Sequence, residues 1–322
     1  MADRPKMENM VNKRVLVTGG AGFIGGHLAQ ALVRRGYSVC VLDIQKPGKT
    51  YFFLEHLDSS VDYRRIDIRD GSAVDRIFEE VNPDSVIHLA AFPVVEEAFI
   101  DPRGTFETNI MGSVNILEAC RKQKSIRRVV IASSDKAYGK TTREYTEESP
   151  LRGDHPYDVS KSCEDLIAYT YFKTYGLPVA ITRFGNVYGE GDLHFDRIVP
   201  GICQSLALAK PLRVRSDGTY IRDYIYVQDV VRGYLLLLES SDEVNGEAFN
   251  FSSQDTYSVV DLIKKMEELL QQKIPYRIQN SAKNEIPYQH LNDTKVRILG
   301  WKPVSTLEST AQKVFEWYKK YV

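Results

Sequence analysis

Apolar residues fall along this chain in two alternating patterns. Five runs of six to eight residues are β-branched and carry little polar alternation: RVLVTG at 14–19, SVCVLD at 38–43, SVIHLAA at 85–91, RRVVIASS at 127–134 and PVAITRFG at 178–185. Runs of that length and texture predict strands buried on both faces. Between them, residues 22–35, 73–81, 104–122 and 158–175 carry the amphipathic spacing of helices. Strands alternating with helices imply repeated βαβ units, hence a parallel sheet covered on both faces. The predicted fold is α/β, a doubly wound parallel sheet of the Rossmann type.

The texture changes after residue 185. Residues 186–222 contain Gly189, Gly191, Pro200, Pro211 and Gly218 and read as loop-rich. A strand and helix follow over 223–240, a strand over 247–253, one helix over 259–272 and an LGWKP turn at 299–303. This predicts a first domain of residues 1–185, to which 223–253 return. A smaller C-terminal α/β domain would be built from 186–222 and 254–322.

The 322 residues carry 42 Lys and Arg against 43 Asp and Glu, a formal net charge of −1, with no long block of one sign. That balance excludes a nucleic-acid binder, which needs a basic field against phosphates. Cys40, Cys120, Cys163 and Cys203 lie far apart, without a CxxC pair or metal-ligand spacing. No metal site is expected, and a reduced, cytoplasmic setting is. Residues 1–13 are polar, unlike a signal peptide, and runs such as YLLLL at 234–238 are too short to span a bilayer. No membrane partner is expected.

Directly after the first predicted strand comes TGGAGFIG, which spaces Gly19, Gly22 and Gly25 as GxxGxxG. A glycine turn between a strand and a helix lets backbone approach a pyrophosphate, which the helix N-terminus then stabilises. Eighteen residues beyond Gly25 the second strand ends in Asp43. A carboxylate there accepts both ribose hydroxyls of an adenosine and repels a 2′-phosphate, which favours NAD over NADP. Lys46 nearby leaves NADP open.

Tyr157 and Lys161 stand four residues apart on a predicted helix and share a face. An ammonium beside a phenol favours the phenolate, which makes the Tyr a usable base. With 19 Tyr in the chain such a pair arises by chance, and Tyr169–Lys173 is a second one. Tyr157 follows His155 and Pro156 at a helix start, on the side where the carboxyl ends of the strands bind ligands. Tyr169 and Lys173 lie in the aromatic stretch YTYFKTY, which reads as packing.

In this order, TGGAGFIG, Asp43, HLAA at 88–91, SSDKAYG at 133–139 and Tyr157–Lys161 resemble the extended short-chain dehydrogenase/reductases, and within them the nucleotide-sugar epimerase/dehydratase branch. DIRD at 67–70, ETNIMGSVNILEAC at 107–120, FGNVYG at 184–189, DGTYIRDYIYVQDV at 217–230 and DTKVRILGW at 293–301 extend the likeness over nearly the whole chain. The resemblance implies an NAD site at Gly19, Gly22, Phe23, Ile24 and Asp43, completed by Tyr157 and Lys161. It implies that Asp67 and Ile68 flank the adenine and that Leu89, Ala90 and Ala91 line the cofactor cleft. Ser134 would hold the sugar O4 with Tyr157, while Asn186 and Arg222 would hold the nucleotide-sugar diphosphate, a task suited to a guanidinium fork. Arg222 could instead pair with Asp223 or Asp229. His88 would sit at a buried strand end. Residues 104–122 and 158–175 match helices that form a four-helix contact in family dimers, which implies a homodimer or higher homo-oligomer.

The residues after Ser134 bear on the reaction class. Epimerases of this branch commonly have small or neutral residues there, whereas this chain has Asp135–Lys136. The Ser-Asp-Lys version resembles CDP-glucose 4,6-dehydratases and configuration-retaining UDP-N-acetylglucosamine 4,6-dehydratases; the dTDP-glucose enzymes carry Thr-Asp-Glu. The resemblance implies C4 oxidation with Tyr157 as base, loss of water across C5–C6, and reduction at C6. Asp135 would be the acid and Lys136 the base, or the reverse. The expected activity is a hydro-lyase acting on UDP-GlcNAc. CDP-glucose or dTDP-glucose dehydration, a UDP-hexose 4-epimerase and a non-catalytic NAD-binding protein are the alternatives. Glu96 and Glu97 stand where the family often meets the sugar.

Overall fold

The computed structural model describes residues 13–281 and 285–322. The polar opening stretch, except Lys13, and Asn284 lie outside the described residues. The strands are β1 (Arg14–Thr18), β2 (Ser38–Asp43), β3 (Asp62–Arg65), β4 (Ser85–His88), β5 (Arg128–Ala132), β6 (Val179–Phe184), β7 (Asn186–Tyr188), β8 (Leu212–Val214), β9 (Ile221–Tyr226), β10 (Ala248–Phe251), β11 (Thr256–Ser258) and β12 (Tyr276–Ile278). Seven of them form one parallel sheet in the order β10-β6-β5-β4-β1-β2-β3.

The near-continuous apolar runs explain the burial of this sheet. Successive side chains point to opposite faces, so Val15 and Val17 join one core while Leu16, between them, joins the other. Helices Phe23–Arg34 and Val227–Glu239 cover the first face; Gly71–Val81, Ser113–Lys122 and Pro156–Tyr175 cover the second.

Four features depart from the sequence pattern. The strand β3, DYRR, has no apolar run because it is the sheet edge and is only half-buried. The helix expected at 104–122 is broken into Pro102–Phe106, a π turn at Glu107–Gly112, and Ser113–Lys122. The π turn carries Asn109, which accepts from the Phe92 N–H (2.6 Å) and donates to Ser160 Oγ (2.9 Å).

Residues 186–222 are loop-rich, as expected, and carry short elements between the loops. These are β7, β8 and the helix Ile198–Ala207, whose Pro200 lies in the first turn, where no helical N–H partner is lost. The tail holds three helices rather than one: Val259–Leu270, Thr294–Ile298 and Leu307–Tyr321. The last begins with a Thr306–Ser309 capping box and buries Leu307, Ala311, Val314, Phe315 and Tyr318, a helical spacing legible in the sequence.

The segment expected to return to the first domain divides. Helix Val227–Glu239 and β10 join the large sheet, but β9 pairs with β7 and β11 in a separate three-stranded sheet. A boundary at Arg222 therefore cuts through a strand. Around the small sheet lies a third core, with Tyr188, Ile202, Tyr224, Leu262, Met266 and Phe315.

Candidate active site

Strand order reverses between β1 and β4, which leaves a crevice at the carboxyl ends of the strands. A cavity of about 710 Å³ opens there, walled by elements of the large sheet, of the three-stranded sheet and of a third, two-stranded sheet formed by β8 and β12. Gly19 starts its floor in the left-handed region (φ +67°), where a Cβ would lie 2.7 Å from the Ala90 nitrogen. A Cβ at Gly25 would collide with the Gly19 carbonyl. Helix Phe23–Arg34 begins at Gly22 with no side-chain cap, so its first N–H groups face the cavity floor without a competing acceptor. This cradle fits a pyrophosphate, and Gly19, Gly22, Phe23 and Ile24 all line it.

Asp43, at the end of β2, lines the cavity beside the glycine turn, and its carboxylate accepts from the N–H groups of Ala21 (3.0 Å) and Gln45 (3.1 Å). Burial nevertheless pushes its pKa above the ordinary carboxylate range. Asp67 and Ile68 line the same end, and Asp67 binds Arg69 through a 2.6 Å contact. Leu89, Ala90 and Ala91 line the middle, where the Ala90 N–H donates to Thr18 Oγ1. Gln45 lines the cavity; Lys46 does not.

At the other end the cavity gathers Ser134, Lys136, Tyr157, Lys161, Asn186 and Arg222. Asp135 does not line it. That side chain is 1% exposed and is bound from three sides: by Ser134 Oγ (3.0 Å), Gln289 Nε2 (2.8 Å) and Lys136 Nζ (3.5 Å). Lys161 is 3% exposed and donates to the Ala132 carbonyl (2.7 Å) and Glu164 (2.6 Å). Burial works against its charge, but Glu164, with Tyr157 and Asp165 adding, outweighs burial and holds the pKa above its ordinary value. Behind Glu164 runs a buried chain: Ser113 Oγ (3.1 Å), then His88 Nε2 (2.8 Å), then Thr18 Oγ1 on His88 Nδ1 (2.6 Å). His88 is thus a satisfied strand-end histidine; burial, with Lys161 adding, lowers its pKa to about 3.

Arg222 pairs with neither Asp223 nor Asp229. Its guanidinium meets Glu285 (3.6 Å), while Asp223 holds His290 and Asp229 holds Arg232. Beside it Arg215, the residue after β8, reaches Glu96 (2.5 Å), so an ion pair joins this segment to the helix-bearing stretch after β4 in the first domain. Glu97 lines the cavity; Tyr169 lies on the surface, 46% exposed, not in packing. Among the described residues no group of three His, Cys, Asp or Glu could hold a metal ion, and no helix is long and apolar enough to cross a membrane.

The sequence pattern did not single out Asp158, Glu164, Arg215, Glu285 or Gln289. Glu164 carried a signal, since three residues after Lys161 on a helix is the same face. Gln289 carried none, because its partner Asp135 is 154 residues away.

Asp158, next to Tyr157, is a cavity-lining carboxyl 3% exposed. Burial pushes its pKa up to about 7; Asp135 and Asp154 add to this, while Lys136 and Lys140 oppose it. The folded chain thus holds a proton that the unfolded chain releases, so between pH 4 and pH 7 stability falls as pH rises. Asp158→Asn removes that cost. Urea denaturation at pH 4 and pH 8 should show the variant gaining about 4 kcal/mol on the wild type at the higher pH.

Residues 15–252 match the model of the NAD dependent epimerase/dehydratase family. The chain is 30% identical to the dTDP-glucose 4,6-dehydratase of Neisseria meningitidis serogroup B, covering 95% of this chain and 93% of that one. Among solved structures it resembles a UDP-glucose 4-epimerase of Thermotoga maritima with UDP-glucose (TM-score 0.87, 30% identity, 95% and 99% coverage). It also resembles a dTDP-glucose 4,6-dehydratase of Streptomyces venezuelae with NAD bound (TM-score 0.86, 28% identity, 95% and 97% coverage). With a glycine cradle that fits a pyrophosphate and an aspartate at the end of the second strand, the chain belongs to the NAD-dependent epimerase/dehydratase family of extended short-chain dehydrogenase/reductases.

Proposed function

We propose that this chain is a hydro-lyase, a 4,6-dehydratase of a nucleotide-linked hexose. UDP-GlcNAc is its first candidate substrate, and CDP-glucose or dTDP-glucose are the alternatives. The observation that carries this reading is Lys136 in the cavity lining beside Ser134, ion-paired with Asp135 directly behind that wall. A relative named for dTDP-glucose 4,6-dehydration supports the reaction class.

NAD, when bound, supplies a hydride acceptor for C4 and returns that hydride to C6. The chain's own residues move the protons. Ser134 holds O4 and Tyr157 removes its proton, assisted by the Lys161 charge. The resulting ketone acidifies the C5 proton. The ion pair and its neutral form are tautomers: one proton moved from Lys136 to Asp135 leaves an amine and a carboxylic acid. The amine takes the C5 proton, the C5–C6 double bond forms, and the C6–O bond breaks. The proton of Asp135 passes through the Ser134 hydroxyl, which lines the cavity, to the departing oxygen, which leaves as water. Lys136 returns its proton to C5 as the hydride reaches C6, and the proton that Tyr157 took restores the ion pair. Arg222 and Asn186 hold the diphosphate, with Glu285 giving way to it. The smaller lobe, 186–226 with 254–322, holds the nucleotide. A homodimer forms through helices Ser113–Lys122 and Pro156–Tyr175 and the π turn between the flanking segments, where Met111, Leu166 and Tyr169 are exposed.

The likeness to a UDP-glucose 4-epimerase favours a second reading, reversal at C4 without elimination. Mass spectrometry of the protein incubated separately with UDP-GlcNAc, CDP-glucose, dTDP-glucose and UDP-glucose decides between them. Loss of one water from one substrate supports the dehydratase; an isomer of unchanged mass supports the epimerase. The double variant Asp135→Asn, Lys136→Ala should lose water elimination by about a hundredfold or more while still reducing bound nicotinamide. Unchanged turnover would overturn the acid and base roles.

A further inference from the structure

Gln289 comes from the segment between β12 and helix Thr294–Ile298, yet its side chain reaches the loop after β5. It is 1% exposed and lines the cavity. Its amide orientation follows from chemistry: only the NH2 group can donate to the Asp135 carboxylate, so Oε1 is the free end. That oxygen is buried and has no hydrogen-bond partner among the described residues. Two other buried, unpartnered atoms belong to cavity-lining residues, Asn186 Nδ2 and Tyr224 Oη. An amide N–H and a phenol O–H can donate to a ligand's oxygens; Gln289 Oε1 is the acceptor among the three. A buried acceptor left unsatisfied is costly, so the site is completed by a ligand hydroxyl or N–H.

We infer that Gln289 is a specificity-determining residue that accepts the hydrogen of the sugar's C6 hydroxyl while its NH2 group holds Asp135. One carboxamide then ties the leaving oxygen, on the cavity side, to Asp135 behind the wall, whose proton reaches it through Ser134. A hydroxyl that donates to Oε1 keeps its lone pairs free for that proton, so the contact binds the substrate without blocking the step. It also makes the lobe carrying Gln289 part of the chemistry, since Asp135 is held from there and not only from its own loop.

This inference rests on the dehydratase reading, and the test separates the two. Binding of UDP-GlcNAc and UDP-6-deoxy-GlcNAc, and of dTDP-glucose and dTDP-6-deoxyglucose, is measured by calorimetry on the NAD-loaded protein. The wild type should bind the 6-hydroxy member of the accepted pair about tenfold more tightly or better. In Gln289→Met, which keeps the size and removes the acceptor, both members should bind alike. A wild type without the preference overturns the inference, and needs no variant to fold. A Gln289→Met protein that keeps the preference overturns it too. Either result leaves the dehydratase reading to the water-loss measurement, whereas failure of both pairs to bind overturns the inference and its substrate assignment together.

Discussion

Replacing Tyr157 by Phe should lower turnover about a thousandfold while leaving the fold and the bound cofactor in place. The side chain lies in the second position of the helix Pro156–Tyr175, within the cavity and within the field of Lys161. Phe keeps the ring and its packing; only the oxygen proposed to take the O4 proton is lost. The step affected is C4 oxidation, which precedes both elimination and epimerisation. The variant should therefore show no absorbance of reduced nicotinamide on mixing with substrate, yet should bind the nucleotide sugar with near wild-type affinity. Tyr169→Phe, the second tyrosine at the same spacing, should leave turnover unchanged, because its ring is on the surface away from the cavity. Equal loss in both variants would remove the argument from location.

Glu164→Ala should cost about 3–5 kcal/mol of stability, because it leaves the Lys161 ammonium buried without its counter-ion. Both side chains are almost wholly enclosed, and the contact is 2.6 Å. The loss spreads along the chain behind it, since Ser113 Oγ also loses its Glu164 acceptor. Glu164→Ala and Lys161→Met together should recover much of the loss, as removing both charges from an apolar site is far cheaper than removing one. Denaturant titrations of the two singles and the double give the coupling directly. A single Glu164→Ala within about 0.5 kcal/mol of wild type would mean that water reaches Lys161 freely. Catalytic loss in the double variant is expected regardless, since Lys161 is gone.

Much of the first domain is legible in the chain because its information is local. A strand buried on both faces must be apolar along its length, as at 85–88, and a pyrophosphate turn must be glycine where backbones nearly touch, as at Gly19 and Gly25. Departures occur where local pattern and environment separate. The edge strand β3 needs no apolar run, and Pro200 punctuates a loop in most contexts but is harmless in a first helical turn. The helix Leu307–Tyr321 had both cap and period in plain view.

Composition, periodicity and spacing determined that this chain is an α/β protein with a glycine turn between strand and helix, an aspartate at the end of the second strand and a Tyr–Lys pair at a helix start. All of these depend on neighbours within a few turns of chain. Tertiary structure alone decided which side chains complete the catalytic end. It drew Asp135 out of the cavity lining, brought Gln289 to it across 154 residues, set Glu285 on Arg222, and left β9 outside the large sheet. Such contacts are formed by folding distant segments against one another, and a buried polar group takes whatever partner that packing delivers, so no local pattern encodes them.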